Sequence, residues 1–192
     1  MKAPQLLLNR TLDKIPSLPE FHMVGTQWIE NEFELRGTIP PLWILRSGVS
    51  LIFIATPWQD AREKDIYTET IKGLMVATLC DAYCVASESW VTAVHSEEEL
   101  AEADAIDTLE RLPANRRDSM LLQMTHGRKS TDFIGTAWLI NEARGNLRQT
   151  LGVRQDEYFR GLGGIGGRFS NLFREIADEA RAAQTAQAKG TY

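Results

Sequence analysis

The segment 39–58 constrains the fold more than any other part of the chain. It reads IPPLWILRSGVSLIFIATPW, in which two β-rich runs, 42–46 and 49–55, flank a short turn that ends in glycine. Two such runs around a turn predict a β-hairpin. Because the second run is almost wholly apolar, we expect it to form a central strand that is covered on both faces.

Helical periodicity predicts three helices that can provide this cover. The first is expected over 18–35, because Ser17 and Glu20 form a capping box and Pro19 occupies the first turn. The second follows Asp60, which we interpret as an N-terminal cap rather than as part of a nuclease site. The apolar stripes of the second and the last helix are Ile66, Ile71, Leu74, Met75, Leu79 and Phe169, Leu172, Phe173, Ile176, Ala180.

The remaining segments complete an α+β pattern. We expect a strand over 83–94 and a second hairpin with strands at 118–125 and 132–140, whereas 141–160 is polar and is expected to be partly helical. The predicted fold is α+β, with a mixed or antiparallel sheet of about five strands, helices packed on it and a hinged C-terminal amphipathic helix.

The length of 192 residues suits one domain with appendages. We divide the chain into an N-terminal extension (1–16), an α+β domain (17–160), and a glycine-rich hinge with the C-terminal helix (161–192). The two cysteines, Cys80 and Cys84, are too few for a disulfide framework, so we expect buried thiols in a reducing compartment.

Composition favours a cytoplasmic protein without membrane contact. The formal charge of −5 argues against a surface that binds nucleic acid all round. The N-terminus lacks the apolar core of a signal peptide, and the longest apolar run is far shorter than a membrane span.

The stretch YCVASESWVTAV places a carboxylate, Glu88, within a predicted strand. A buried carboxylate needs a partner, because leaving it unpaired costs several kcal/mol. Arg117 and Arg46 are the candidate partners, and with either of them Glu88 would be structural. Alternatively, His95 and His126, both at predicted strand ends, would converge near Glu88 or Asp118 and make a metal or acid–base site. No ligand spacing indicates a metal, and we expect none.

The glycine-rich segment 161–167, GLGGIGG, formally contains the Gly-x-Gly-x-x-Gly fingerprint of dinucleotide-binding loops. That fingerprint requires a strand directly before it and a βαβ unit around it, and the sequence predicts neither. We therefore interpret the segment as a hinge and expect no cofactor. Nucleotide binding at this loop is the alternative.

Charge is distributed unevenly along the second half of the chain. Seven acidic residues lie between 97 and 110, beginning with Glu97, Glu98 and Glu99, and arginines follow them. This asymmetry fits either a phosphate-binding face or an internal pairing of acidic and basic segments. Aromatic residues do not alternate with the basic ones as in single-strand nucleic-acid binders, so nucleic acid is the weaker alternative.

The motif Tyr-x₃-Ser-Glu-x-Trp at 83–90 resembles a loose group of small bacterial and phage proteins of unassigned function. The resemblance extends to a Pro-Pro-x-Trp pattern near the first strand, at Pro40, Pro41 and Trp43, and to an Arg-Asp pair at 117–118 that opens a later strand. It covers about residues 38–140 and leaves out the C-terminal helix. The resemblance implies a fold and supplies no catalytic residue.

Two hypotheses about function follow from the sequence. The first is a non-enzymatic interaction module, such as a phage or mobile-element accessory, assembly or host-inhibitory protein, whose partner is another protein or its own oligomer. Its binding residues would be the acidic segment and the apolar stripe of the last helix: Glu97, Glu98, Glu99, Phe169, Leu172, Phe173 and Ile176. The second is a small enzyme, or a nucleotide- or nucleic-acid-binding protein, that uses Glu88, His95 and His126 or the loop 161–167.

Overall fold

The computed structural model describes residues 2–91, 118–130, 132–141, 149–160 and 172–189. In this part of the chain, seven strands form one open sheet and three helices pack on it. The elements in chain order are β1 Gln5–Thr11, α1 Leu18–Arg36, β2 Leu42–Ser47, β3 Ser50–Ala55, α2 Ala61–Ala77, β4 Ala82–Val91, β5 Asp118–Gly127, β6 Asp132–Asn141, β7 Thr150–Arg160 and α3 Leu172–Lys189. The order across the sheet is β1-β3-β2-β4-β5-β6-β7, and every neighbouring pair is antiparallel.

The sheet is covered on both faces, which produces three layers. Along β2, Leu42 and Ile44 contact the helix α1, whereas Trp43 and Leu45 point to the other face, where α2 and α3 lie. This alternation follows from the two-residue period of a strand. The helical side chains buried in these two cores are Phe21, Ile29 and Phe33 on the α1 face, and Ile71, Met75 and Leu172 on the α2–α3 face.

The local signals for the first two helices are confirmed. Ser17 and Glu20 form the capping box at the start of α1, and Gly37 ends the helix with a left-handed φ of 74°. The side chain of Asp60 accepts a hydrogen bond from the Glu63 backbone and caps α2. Gly48, with a φ of 58°, makes the turn between β2 and β3. Among the described helices, none combines the length and apolar character needed to cross a membrane.

The sheet is larger than the five strands expected. The strands that the sequence did not predict are β1 and β7, which form the two edges. The partly helical segment expected over 141–160 is wrong from Thr150 onward, because that segment pairs along β6 as strand β7. An edge strand needs to match its neighbour on only one side, so its own sequence carries a weaker signal.

The C-terminal helix α3 lies on the body of the protein. Leu172 is fully buried, and Phe173 and Ile176 pack against the same core as α2. The segment 161–171 that would form the hinge, including Phe169, lies outside the described residues, as does the acidic segment with Glu97, Glu98 and Glu99.

Candidate functional site

Glu88 is half-buried on β4 and holds the loop that connects α1 to β2. Its Oε1 accepts hydrogen bonds from the Thr38 hydroxyl at 2.6 Å and from the Ile39 backbone N–H at 2.9 Å. Arg46 forms its ion pair with Asp81 instead. The other expected partner, Arg117, lies outside the described residues. A hydroxyl and a backbone amide therefore partner this carboxylate within the described part of the chain.

The structure does not bring Glu88 and His126 together. Glu88 is opposite Leu121, which packs in the core under α1. His126 is opposite Tyr83, which packs in the core under α2 and α3. Since directly opposed residues point to the same face, the two groups lie on opposite sides of the sheet. His95, the third candidate, lies outside the described residues.

The glycine-rich segment 161–167 follows a strand after all, because β7 ends at Arg160. The expectation that no strand precedes the loop is wrong. However, β7 is an antiparallel edge strand, and no parallel strand follows α3 in the described part of the chain. The βαβ unit that positions a dinucleotide is therefore not formed there.

A buried polar network joins α1 to the sheet. The His22 ring contacts the hydroxyls of Thr125 and Thr136, each at 2.8 Å, and Gln123 donates to the backbone carbonyl of His22 at 3.1 Å. Gln123 also accepts from the Thr26 hydroxyl at 2.9 Å. A satisfied network of this kind specifies how the helix sits on the sheet. We assign it a structural role.

A concave surface lies between α2 and α3. We call it the α2–α3 groove, and its volume is about 830 Å³. Its floor is mostly apolar, and its walls include the small residues Gly73, Ala177 and Ala180. Its remaining lining residues are Glu69, Lys72, Met75, Val76, Leu79, Cys80, His126, Arg128, Ser130, Phe173, Arg174, Ile176 and Glu179.

His126 lies at the floor of this groove within an aromatic cluster. Its ring stacks on Phe133 with centroids 4.2 Å apart and also contacts Tyr83 and Phe173. Nε2 lies 3.0 Å from the Ser130 carbonyl, whereas the buried Nδ1 has no hydrogen-bond partner within the described residues. Burial lowers the pKa of His126, and the hydrogen bond to Ser130 offsets this only in part. The imidazole is therefore neutral at physiological pH.

The rim of the groove carries an exposed and strained apolar side chain. Leu79 follows the last turn of α2 with a φ of 54°, the one left-handed non-glycine residue in the described part of the chain. It is 76% exposed, and Val76 beside it is 56% exposed. The hydrogen bonds from Leu79 to Val76 and from Cys80 to Met75 are those of a Schellman motif, in which glycine normally takes the position of Leu79.

Lys72 connects α2 to α3 at the other end of the groove. Its side chain is only 7% exposed, and Nζ lies 2.6 Å from Glu179, 2.8 Å from Glu69 and 3.5 Å from Glu175. Desolvation lowers the pKa of the ammonium, but hydrogen bonds and charges from Glu179 and Glu69 outweigh it and raise the pKa above the ordinary lysine range.

The reactive groups near the groove are protonated at neutral pH. Burial raises the pKa of Cys80 to about 12, and burial also raises the pKa of Tyr83. On the opposite face, burial raises the pKa of Cys84 to about 11. A thiol acts as a nucleophile only as the thiolate, so neither cysteine is activated. No cluster suited to a metal ion occurs among the described residues.

A second exposed apolar surface lies on the edge strand β1. Leu6, Leu7 and Leu8 are 67%, 41% and 40% exposed. The strand carries a bulge between Leu6 and Leu8, Pro4 directly precedes it, and Arg10 lies within it. Bulges, proline and charge at an edge are the features by which proteins prevent strand addition. We therefore regard the α2–α3 groove as the better candidate site.

Comparisons with known proteins place no constraint on the function of this site. The chain matches no protein-family model, no curated protein and no solved structure. The grouping with small bacterial and phage proteins through the Tyr-x₃-Ser-Glu-x-Trp motif stays a prediction.

The neutral, buried state of His126 makes a pH-dependent contribution to stability. As the pH falls below the ordinary histidine pKa of about 6.5, the unfolded chain takes up a proton that the folded chain binds only at lower pH. Stability is therefore lost in this window. We expect His126→Phe, which keeps the stacking on Phe133, to lose less stability than the wild type between pH 7.5 and pH 5. Urea unfolding at both pH values measures the difference.

Tyr83→Phe is the matched control for this experiment. It also removes a polar atom from the aromatic cluster, but the raised pKa of Tyr83 keeps that group protonated across the window. The control should retain the acid sensitivity of the wild type. Equal acid sensitivity in His126→Phe and the wild type would show that His126 does not titrate differently on unfolding.

Proposed function

We propose that this protein is a non-enzymatic protein-interaction module and that the α2–α3 groove receives an apolar segment of its partner. The observation that carries the proposal is Leu79, which is exposed and strained at the rim of a groove of about 830 Å³. A left-handed conformation costs an L-residue about 1–2 kcal/mol, which glycine would avoid. Backbone strain of this kind concentrates at functional sites.

The groove also has the composition of a docking surface. Val76 and Leu79 offer exposed apolar area, and Gly73, Ala177 and Ala180 allow another backbone to approach closely. The protonated thiols and the neutral His126 offer no activated nucleophile, which favours binding over catalysis. The helix α3 contributes to binding as part of the groove and does not insert into a partner. Phe173 and Ile176 line the groove, and Leu172 packs in the core that supports it.

The substitution Leu79→Gly separates binding from folding. It relieves the strain of about 1–2 kcal/mol, and the greater chain entropy of glycine offsets about 0.5–1 kcal/mol of that gain. We expect the melting temperature to rise by about 1–4 °C. We expect capture of the partner from a native-source lysate to fall, because the variant loses the apolar rim of the groove. Differential scanning calorimetry and quantitative mass spectrometry measure the two effects.

Leu35→Ala is the control, since Leu35 is 68% exposed on α1, across the sheet from the groove. It should leave capture unchanged. Partner capture that survives Leu79→Gly, or that falls equally in both variants, would contradict docking at the groove. Truncation before α3 is a poorer test, because removing the buried Leu172 exposes the core.

A further inference from the structure

The charges at the two ends of the α2–α3 groove differ in sign. At one end, Glu69, Glu175 and Glu179 surround Lys72, so three carboxylates face one ammonium. At the other end, Arg128 lines the groove, and its backbone N–H donates to the carbonyl of Asp81 just beyond α2. Arg174 also lines the groove, but it directly precedes Glu175 and lies 3.9 Å from Asp178, so we do not count it toward either end. The exposed Arg128 has no ion pair within the described part of the chain.

The separation of the two ends follows from the helix geometry. Lys72 and Leu79 are seven residues apart across the last turns of α2, which corresponds to about 10 Å along the axis, or two turns. Near its start, α3 contacts His126 through Phe173, and it reaches Lys72 at Glu175 and Glu179. The two helices therefore run antiparallel, and the apolar floor lies between a basic end and an acidic end.

We infer from this charge arrangement that the groove binds an amphipathic helix with a fixed polarity. This inference rests on the proposed docking function. The helix carries Asp or Glu where it meets Arg128, and Lys or Arg about seven residues later where it meets Glu69 and Glu179. Its apolar face covers Val76 and Leu79. It completes a layer of three helices on this face of the sheet, because the small residues of the walls leave room for a third backbone.

The polarity agrees with the intrinsic preference of helices. Acidic residues stabilise the N-terminal turn of a helix and basic residues stabilise the C-terminal turn. A helix bound in this way therefore has its N-terminus at Arg128 and runs parallel to α3. Opposite charges across an interface mainly fix orientation and reject wrong partners.

The test uses a display library as the probe. Each member is a 20-residue helical sequence with a constant apolar stripe and randomised charges at two positions seven residues apart. Selection for binding to the full wild-type chain should enrich an acidic residue at the first position and a basic residue at the second. Selection for binding to the Arg128→Glu variant should invert the preference at the first position. The ratio of the affinities for peptides with an acidic and with a basic residue there should change about fivefold or more between the wild type and the variant.

Two control variants make every outcome decisive. Lys129→Glu changes an exposed neighbour that does not line the groove, and it should leave the preference unchanged. Ala177→Trp fills the groove at an exposed position and should abolish binding.

The outcomes also separate the two proposals. If peptides bind in an Ala177-dependent way but show no charge preference, the groove remains a docking site and the polarity is overturned. If binding survives Ala177→Trp, both proposals fail. A library that yields no binder overturns the inferred helix partner.

Discussion

Gly25→Ala is expected to destabilise the protein, although alanine favours a helix more than glycine does. A methyl group at Gly25 would lie 2.9 Å from Gln123 Nε2, 3.1 Å from Cys84 Sγ and 3.3 Å from Ile44 Cδ1. The amide of Gln123 cannot retreat without breaking its buried hydrogen bonds to His22 and Thr26. We expect the free energy of unfolding to fall by a net 1–3 kcal/mol, on the order of the cost of overpacking and broken hydrogen bonds. This net value already includes the gain of about 1 kcal/mol from helix propensity.

Gly73→Ala is the matched control, because Gly73 also lies within a helix. Apart from its chain neighbours and the backbone of its own helix, no atom lies within 4 Å of the position that its Cβ would take. The substitution should therefore raise the free energy of unfolding by up to about 1 kcal/mol through helix propensity alone. Urea denaturation of both variants measures the contrast. If Gly25→Ala were as stable as Gly73→Ala, the polar network under α1 would have rearranged to accept the methyl group at little cost in free energy.

The helix α1 illustrates what the sequence predicts well. Its capping box, the Pro19 in its first turn and the glycine at its end are local signals, and the structure has the helix at Leu18–Arg36 against an expectation of 18–35. The hairpin of β2 and β3 is equally local. Such elements depend on neighbours a few residues away, so a single sequence contains the necessary information.

The two edge strands, β1 and β7, are elements that local sequence signals do not predict. In β1, all seven residues are exposed, so the strand has no buried face and its sequence shows no two-residue period. In β7, the polar sequence becomes a strand through pairing with β6, which is a non-local contact. The sequence therefore identifies the centre of the sheet and misses both its edges.

The candidate site depended on contacts that no local pattern contains. Sequence reasoning placed Glu88 on the face of β4 that also carries Cys84 and Ala86, and the core under α1 contains both of these. It could not determine the register of β4 against β5, which puts His126 on the other face. The groove joins residues from α2, the end of β5 and α3, and the left-handed Leu79 has no sequence signature because glycine is the usual residue there.

Lys72→Met is expected to loosen α3 from the body while the sheet remains folded. Methionine retains most of the buried stem but removes the ammonium that holds Glu175 and Glu179 of α3 to α2. Because these carboxylates are 44% and 60% exposed, water can solvate them after the change, and the cost is smaller than for a fully buried pair. We expect a loss of about 1–2 kcal/mol, which is about 5- to 30-fold in the opening constant of α3.

Hydrogen exchange of the α3 amides, compared with that of β2 and β4, measures this local effect. Arg36→Met is the control, because it breaks a surface ion pair, the one with Glu32. It should lower the free energy of unfolding by about 0.5 kcal/mol or less, as is usual for such pairs. Because the pKa of Lys72 is raised on folding, its contribution is complete below the unfolded pKa of about 10.4 and is lost only as the pH rises through the folded value. Faster exchange throughout the sheet in Lys72→Met would instead show that α3 and the sheet unfold as one unit, and the groove would then be a rigid surface whose two walls cannot separate.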